Sequence, residues 1–117
     1  MDFEYIQQFH LNPPKILLKR TKYMEDKYQT SKRKCENYEE NLYSRLFPNP
    51  ECDWCILPNQ YPYHFKDKTR HYLIWYKGRL EFNYFKNALD QIGAVYFENS
   101  LSNKSIKSIK HIHVFLK

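Results

Sequence analysis

The chain has 117 residues, 42% of them hydrophobic and 27% charged, which suits one domain with its own core and excludes a disordered tail. It holds no run of 18 apolar residues, so no membrane-spanning helix is expected, and with only 2 glycines neither G-x-G-x-x-G nor a Walker A loop can be written. The formal charge is +6, from 19 Lys+Arg against 13 Asp+Glu, and it is scattered along the chain. A nucleic-acid partner is compatible with that excess, and so is a plain lysine-rich solvated surface.

Residues 1–11 read as a short helix with Phe3, Ile6 and either Phe9 or His10 on one side, stopped by Asn12-Pro13-Pro14. From Thr21 to Leu46 a stripe of Met24, Tyr28, Ser31, Cys35, Tyr38, Leu42 and Leu46 predicts a long helix, either continuous or broken near Thr30-Ser31. Phe47-Pro48-Asn49-Pro50 ends it. Trp54 to Leu57 reads as a short strand, and Pro58 to Phe65 as a stiff aromatic loop. His71 to Tyr76 is the best strand of the chain, dense in aromatic and β-branched residues. Leu80 to Ile92 carries Phe82, Phe85, Leu89 and Ile92 in helical phase, with Gly93 as its stop. Ala94 to Glu98 predicts a strand, Asn99 to Lys110 a polar connection, and His111 to Leu116 the final strand. The expected fold is a single α+β domain over residues 1–117. Residues 1–47 are mainly helical, and 52–117 run strand-helix-strand-strand. The sheet is small and mainly antiparallel, with helices packed on one face.

The start, MDFEYIQQFH, has no signal-peptide pattern, and the cysteine count is odd (Cys35, Cys52 and Cys55). Both point to a reducing, intracellular compartment, cytoplasm or nucleus. Cys52 and Cys55 have C-x-x-C spacing and could share a four-ligand metal site with Cys35 and His64, although no second C-x-x-C or H-x3-H pair exists.

The histidines carry the most chemistry. Strand alternation puts His111, His113 and Phe115 on one face, with Ile112, Val114 and Leu116 on the core face. The two imidazoles would then lie about 7 Å apart along the strand. His71, Leu73 and Trp75 share a face of the other strong strand, so pairing of the two would converge three imidazoles. Such a set can ligate a divalent metal, attack a phosphate through one ring, or consist of half-exposed hydrogen-bonded rings.

Three segments together resemble a family. Leu57-Pro58-Asn59-Gln60-Tyr61-Pro62-Tyr63 is similar to its P-N-x-[FYW]-P-Y loop, and His71-Tyr72-Leu73-Ile74-Trp75 to its H-l-v-v-W strand. Tyr96-Phe97-Glu98-Asn99, Lys104-Ser105-Ile106 and His111-Ile112-His113-Val114 resemble its terminal W-F-x-N-P…S-I…H-x-H-V signature, with Tyr96 in place of tryptophan and Ser100 in place of proline. Leu17-Leu18-Lys19-Arg20 with Tyr28 resembles its N-terminal L-x-R…Y helix. The family is a domain of unknown function that includes the fungal N-acetylglucosamine-induced proteins. The loops are shorter than in a fungal member, which suggests a minimal version such as a large DNA virus or a protist would encode. A looser likeness is to the histidine-triad nucleotide hydrolases and transferases, whose strand reads H-φ-H-φ-H. Here Phe115 takes the third place. That likeness implies a nucleophilic role for His113 and a phosphate-positioning role for His111, with His71 at the start of a second strand.

The resulting expectation is a histidine-lined site of His71, His111 and His113 that binds or turns over a phosphorylated small molecule such as a nucleotide or nucleotide sugar. Asn59, Tyr61, Tyr63, Arg70, Trp75, Asn99, Ser105 and Lys110 are its candidate contact residues. A non-catalytic nucleic-acid- or protein-binding module and a metal-binding domain are the other two readings. No cofactor is identified.

Overall fold

The computed structural model describes residues 1–15, 18, 20–34, 42, 44–98 and 110–117, the side chains of 32–34 excepted. Asp2 caps helix α1 (Phe3–Gln7) by accepting the Tyr5 N–H at 2.7 Å. Thr21 plays the same part for α2 (Lys22–Lys34), its hydroxyl oxygen accepting the Met24 N–H at 3.2 Å. Residues 44–46 are also helical, whereas Cys35 and Tyr38 of the predicted long helix lie outside the described residues. Strands β1 (Trp54–Pro58) and β2 (Arg70–Tyr76) follow, then α3 (Asn83–Gln91), β3 (Val95–Phe97) and β4 (Lys110–Leu116). Gly93 ends the α3 region with φ of 69°, a left-handed conformation that glycine adopts without a Cβ clash.

The four strands form one antiparallel sheet in the order β1-β2-β4-β3. The α+β class and the antiparallel sheet are as the sequence predicts. The helices differ: they divide between both faces. Phe85 and Leu89 of α3 pack on Ile74, Tyr76, Tyr96, Ile112 and Val114. Phe3 and Ile6 of α1, with Leu18 and Tyr63, pack on Val95, Phe97 and Phe115. Leu42 and Phe47 cover Trp75 on that second face. Phe115, Ile112 and Val114 are each 0% exposed, so both faces of β4 are core. Sequence alternation assigned only Ile112, Val114 and Leu116 to the interior. The aromatic residues brought from the N-terminal segment and the 59–65 loop bury the histidine face as well.

Leu89→Ala tests the α3 layer. Removing a 4%-exposed leucine from this cluster is expected to cost about 2–5 kcal/mol, read as a lower denaturation midpoint in urea.

The two edges of the sheet are treated differently. At β3 the outward backbone groups of Tyr96 are taken by the N-terminal segment. Tyr96 O accepts the Leu11 N–H at 2.9 Å, and the Tyr96 N–H donates to His10 Nδ1 at 3.3 Å. Leu11 sits at φ 57°, an uncommon conformation for leucine, and it is held there while its N–H makes this contact. At β1 no such cover exists among the described residues: Trp54, Ile56 and Leu57 are 42%, 45% and 45% exposed. No helix among the described residues is long and apolar enough to cross a membrane.

Candidate functional site

β2 and β4 place the histidines as the alternation predicts, with His71 opposite Phe115, Leu73 opposite His113 and Trp75 opposite His111. All three rings are buried rather than half-exposed. Trp75 packs on His111 at 4.7 Å, and the His111 ring meets His113 edge-on at 5.3 Å. His113 stacks on Tyr63 and on Phe97, each at 5.4 Å. His71 stacks on Phe115 at 4.5 Å.

His71 and His113 are joined directly, Nε2 to Nδ1, at 2.9 Å. The backbone decides which ring donates. The Tyr63 N–H points at His71 Nδ1 at 3.2 Å, so Nδ1 must be an acceptor. A neutral His71 then carries its proton on Nε2 and donates to His113 Nδ1. That leaves the proton of a neutral His113 on Nε2. One backbone N–H thus sets two tautomers in series. Burial pushes the His71 pKa down to about 3, helped by the Arg20 and His111 charges. Burial also holds His113 well below the usual histidine range, with smaller contributions from His71, His111 and Arg20. Both rings are therefore neutral at ordinary pH. In this arrangement His113 presents a donor at Nε2 rather than a lone pair, and both nitrogens of His71 are engaged.

Arg20 is the neighbouring charge, with its side chain 16% exposed. Its guanidinium lies over Tyr28 at 4.7 Å and over Tyr63 at 5.4 Å. Nε donates to Tyr61 O at 2.6 Å, and Nη1 meets Glu25 Oε2 at 3.2 Å. Gln29 and Arg20 together hold the Glu25 carboxyl below its usual range, against an opposing desolvation. Tyr61 in turn donates from its hydroxyl to Ser31 Oγ at 2.9 Å. A shallow, open depression lined by Tyr23, Asp26, Lys27, Thr30 and Ser31 begins there.

The other candidates divide. Tyr63 lies within the histidine stack, and Trp75 covers His111. Asn59 closes an Asx turn, its Oδ1 accepting the Tyr61 N–H at 2.9 Å, and its amide nitrogen stands 3.4 Å from both nitrogens of His71. Arg70 and Lys110 alternate onto the α3 face. Arg70 reaches Lys117 O, and Lys110 lies over the Tyr76 ring. Asn99 and Ser105 lie outside the described residues, as does Cys35. Cys52 and Cys55 stand near the start of β1, whereas His64 is an exposed residue in the loop beyond its other end. Among the described residues no three His, Cys, Asp or Glu side chains converge as a metal site. Arg20 was not among the contact residues read from the sequence. Its signal was the L-x-R…Y pattern, since Arg20 and Tyr28 meet in the fold.

Residues 4–92 match a family described as protein of unknown function, DUF3605. The chain is 32% identical over 104 residues to N-acetylglucosamine-induced protein 1 of Candida albicans, covering 69% of this chain and 39% of that relative's length. It superposes on the crystal structure of HTC1 with a TM-score of 0.64 at 24% identity, over 85% of this chain and 75% of that one, a likeness of fold.

Proposed function

This chain belongs to the DUF3605 family of proteins of unknown function, and from its site we propose that it binds a phosphorylated small molecule, a nucleotide or nucleotide sugar, at Arg20. The observation that carries this reading is the Arg20 guanidinium, held mostly out of solvent beside two histidines that stay neutral. Its single carboxylate partner among the described residues is the half-exposed Glu25. The cation is positioned by Tyr28, Tyr63 and Tyr61 O before any ligand arrives. A guanidinium fixed in this way suits a phosphoryl group, which offers several oxygens to its fork. Lys27 and the hydroxyls of Thr30 and Ser31 line the depression beside it and supply further donors. Tyr61 is the ring available to a base or sugar. His71 and His113 act as positioning residues. They fix Tyr63, which forms part of the floor under Arg20.

A thermal-shift and calorimetric screen of nucleoside phosphates, nucleotide sugars and sugar phosphates tests this reading. A ligand of the class raises the apparent stability by mass action. Arg20→Gln is expected to weaken binding at least tenfold, in line with the loss of about 1.5–3 kcal/mol for a hydrogen bond to a charged group. Absence of any shift across the class, or unchanged affinity in Arg20→Gln, overturns the proposal.

A further inference from the structure

The β1 edge follows from where its backbone points. Asp53 O accepts the Lys77 N–H, and the Asn59 N–H donates to His71 O, both at 2.9 Å. With the register Trp54↔Tyr76 to Pro58↔Tyr72, residues 53, 55, 57 and 59 are those that bond to β2. Trp54, Ile56 and Pro58 therefore turn their backbone groups away from the sheet. Those groups are two N–H donors, from Trp54 and Ile56, and three carbonyl acceptors. Proline supplies no N–H. The opposite edge is occupied by His10 and Leu11, so this is the sheet edge left open among the described residues.

We propose that β1 pairs antiparallel with β1 of a second copy of this chain, about a two-fold axis at Ile56. In that register Ile56 exchanges both of its hydrogen bonds with Ile56 of the other copy, and each Trp54 N–H meets the Pro58 carbonyl opposite. Four bonds form, and every outward donor of the strand is used. The position whose donor is missing, Pro58, faces Trp54, so its lack leaves only the Trp54 carbonyls unpaired. The side chains agree with the backbone. Trp54 lies opposite Pro58, Ile56 opposite Ile56, and Cys55 opposite Leu57. No charged residue lies within Trp54–Pro58 to oppose a like charge. Just outside, Asp53 falls opposite Asn59. Trp54 also rests against Phe85 at 5.6 Å, and the 62%-exposed Tyr84 rests on the same ring, extending the apolar rim onto α3. The interface is isologous, so it closes at two copies.

Sedimentation from 5 to 500 μM, with a crosslinking arm, tests the pairing. The full chain is expected to show a concentration-dependent dimer. Ile56→Lys places two ammonium groups at the axis and is expected to leave a folded monomer, because the Ile56 side chain is 45% exposed and its replacement empties no core. In a Cys35→Ser, Cys52→Ser background, Leu57→Cys faces Cys55 of the other copy as a non-hydrogen-bonded pair, where Cα atoms lie about 4.5 Å apart. Mild oxidation is expected to give a disulfide-linked dimer in that variant. A monomer at every concentration overturns the proposal, as does a dimer unaffected by Ile56→Lys. Crosslinking through Cys55 alone, without Leu57→Cys, overturns the register. None of these variants touches Arg20, so the ligand screen stands or falls separately.

Discussion

Between pH 6 and pH 4 the protein is expected to lose stability at up to about 2.7 kcal/mol per pH unit, two protons' worth at 1.36 kcal/mol each. The direction follows from His71 and His113. Both are neutral in the fold, and burial depresses both pKa values, that of His71 to about 3. In the unfolded chain each titrates near 6.5. Below that pH the unfolded state binds protons that the folded state refuses, so acid favours unfolding. The contribution is complete above the unfolded value and drains away as pH falls toward the folded one. The groups facing the pair, Arg20 and His111, deepen the depression when charged. Urea midpoints across the range check this, and His113→Phe is expected to halve the slope. A flat profile between pH 6 and pH 5 would mean that the rings are protonated in the fold, and would reverse the donor assignment.

His113→Phe and His113→Ala separate the hydrogen bond from the packing. Phenylalanine keeps a ring between Tyr63 and Phe97 but removes the acceptor of the His71 Nε2–H, leaving a buried donor unsatisfied. That is expected to cost about 1–3 kcal/mol. Alanine also empties the stack, and about 3–5 kcal/mol is expected, by analogy with buried aromatic truncations. In a double-mutant cycle with His71→Phe, the two single losses should exceed the loss in the double variant, because the second change removes the stranded donor. Simple additivity would show that the 2.9 Å contact carries no coupling. Equilibrium denaturation at pH 7.5 reads all four proteins.

The period-two pattern in His111-Ile112-His113-Val114-Phe115 was enough to place the rings on one face, because alternation is local geometry that a strand imposes on itself. The expected pairing of the two histidine-bearing strands also holds, with Leu73 opposite His113. Burial of that face was not legible. It depends on Phe3 and Ile6, more than a hundred positions before His113, and on Tyr63 from the aromatic loop. No local window contains those contacts. Arg20 was overlooked for the same reason. It is one of 19 basic residues, and only its placement over Tyr28 and Tyr63 separates it from a solvated lysine. Helices on both faces follow from the same cause, since periodicity gives an element its apolar side but not the side of the sheet it meets. The strands themselves were legible to within a residue or two, because β-branched and aromatic runs bounded by Pro, Gly and polar segments leave few other choices.

The contact of His10 and Leu11 with Tyr96 fixes the molecule's valence. A sheet with one capped edge and, among the described residues, one open edge is a monovalent building block, and two such blocks paired as proposed exhaust each other. Opening the Tyr96 edge would make the block divalent, and β1–β1 and β3–β3 pairings could then alternate without end into a ribbon. Two residues after a five-residue helix thus stand between a particle of defined size and a fibre.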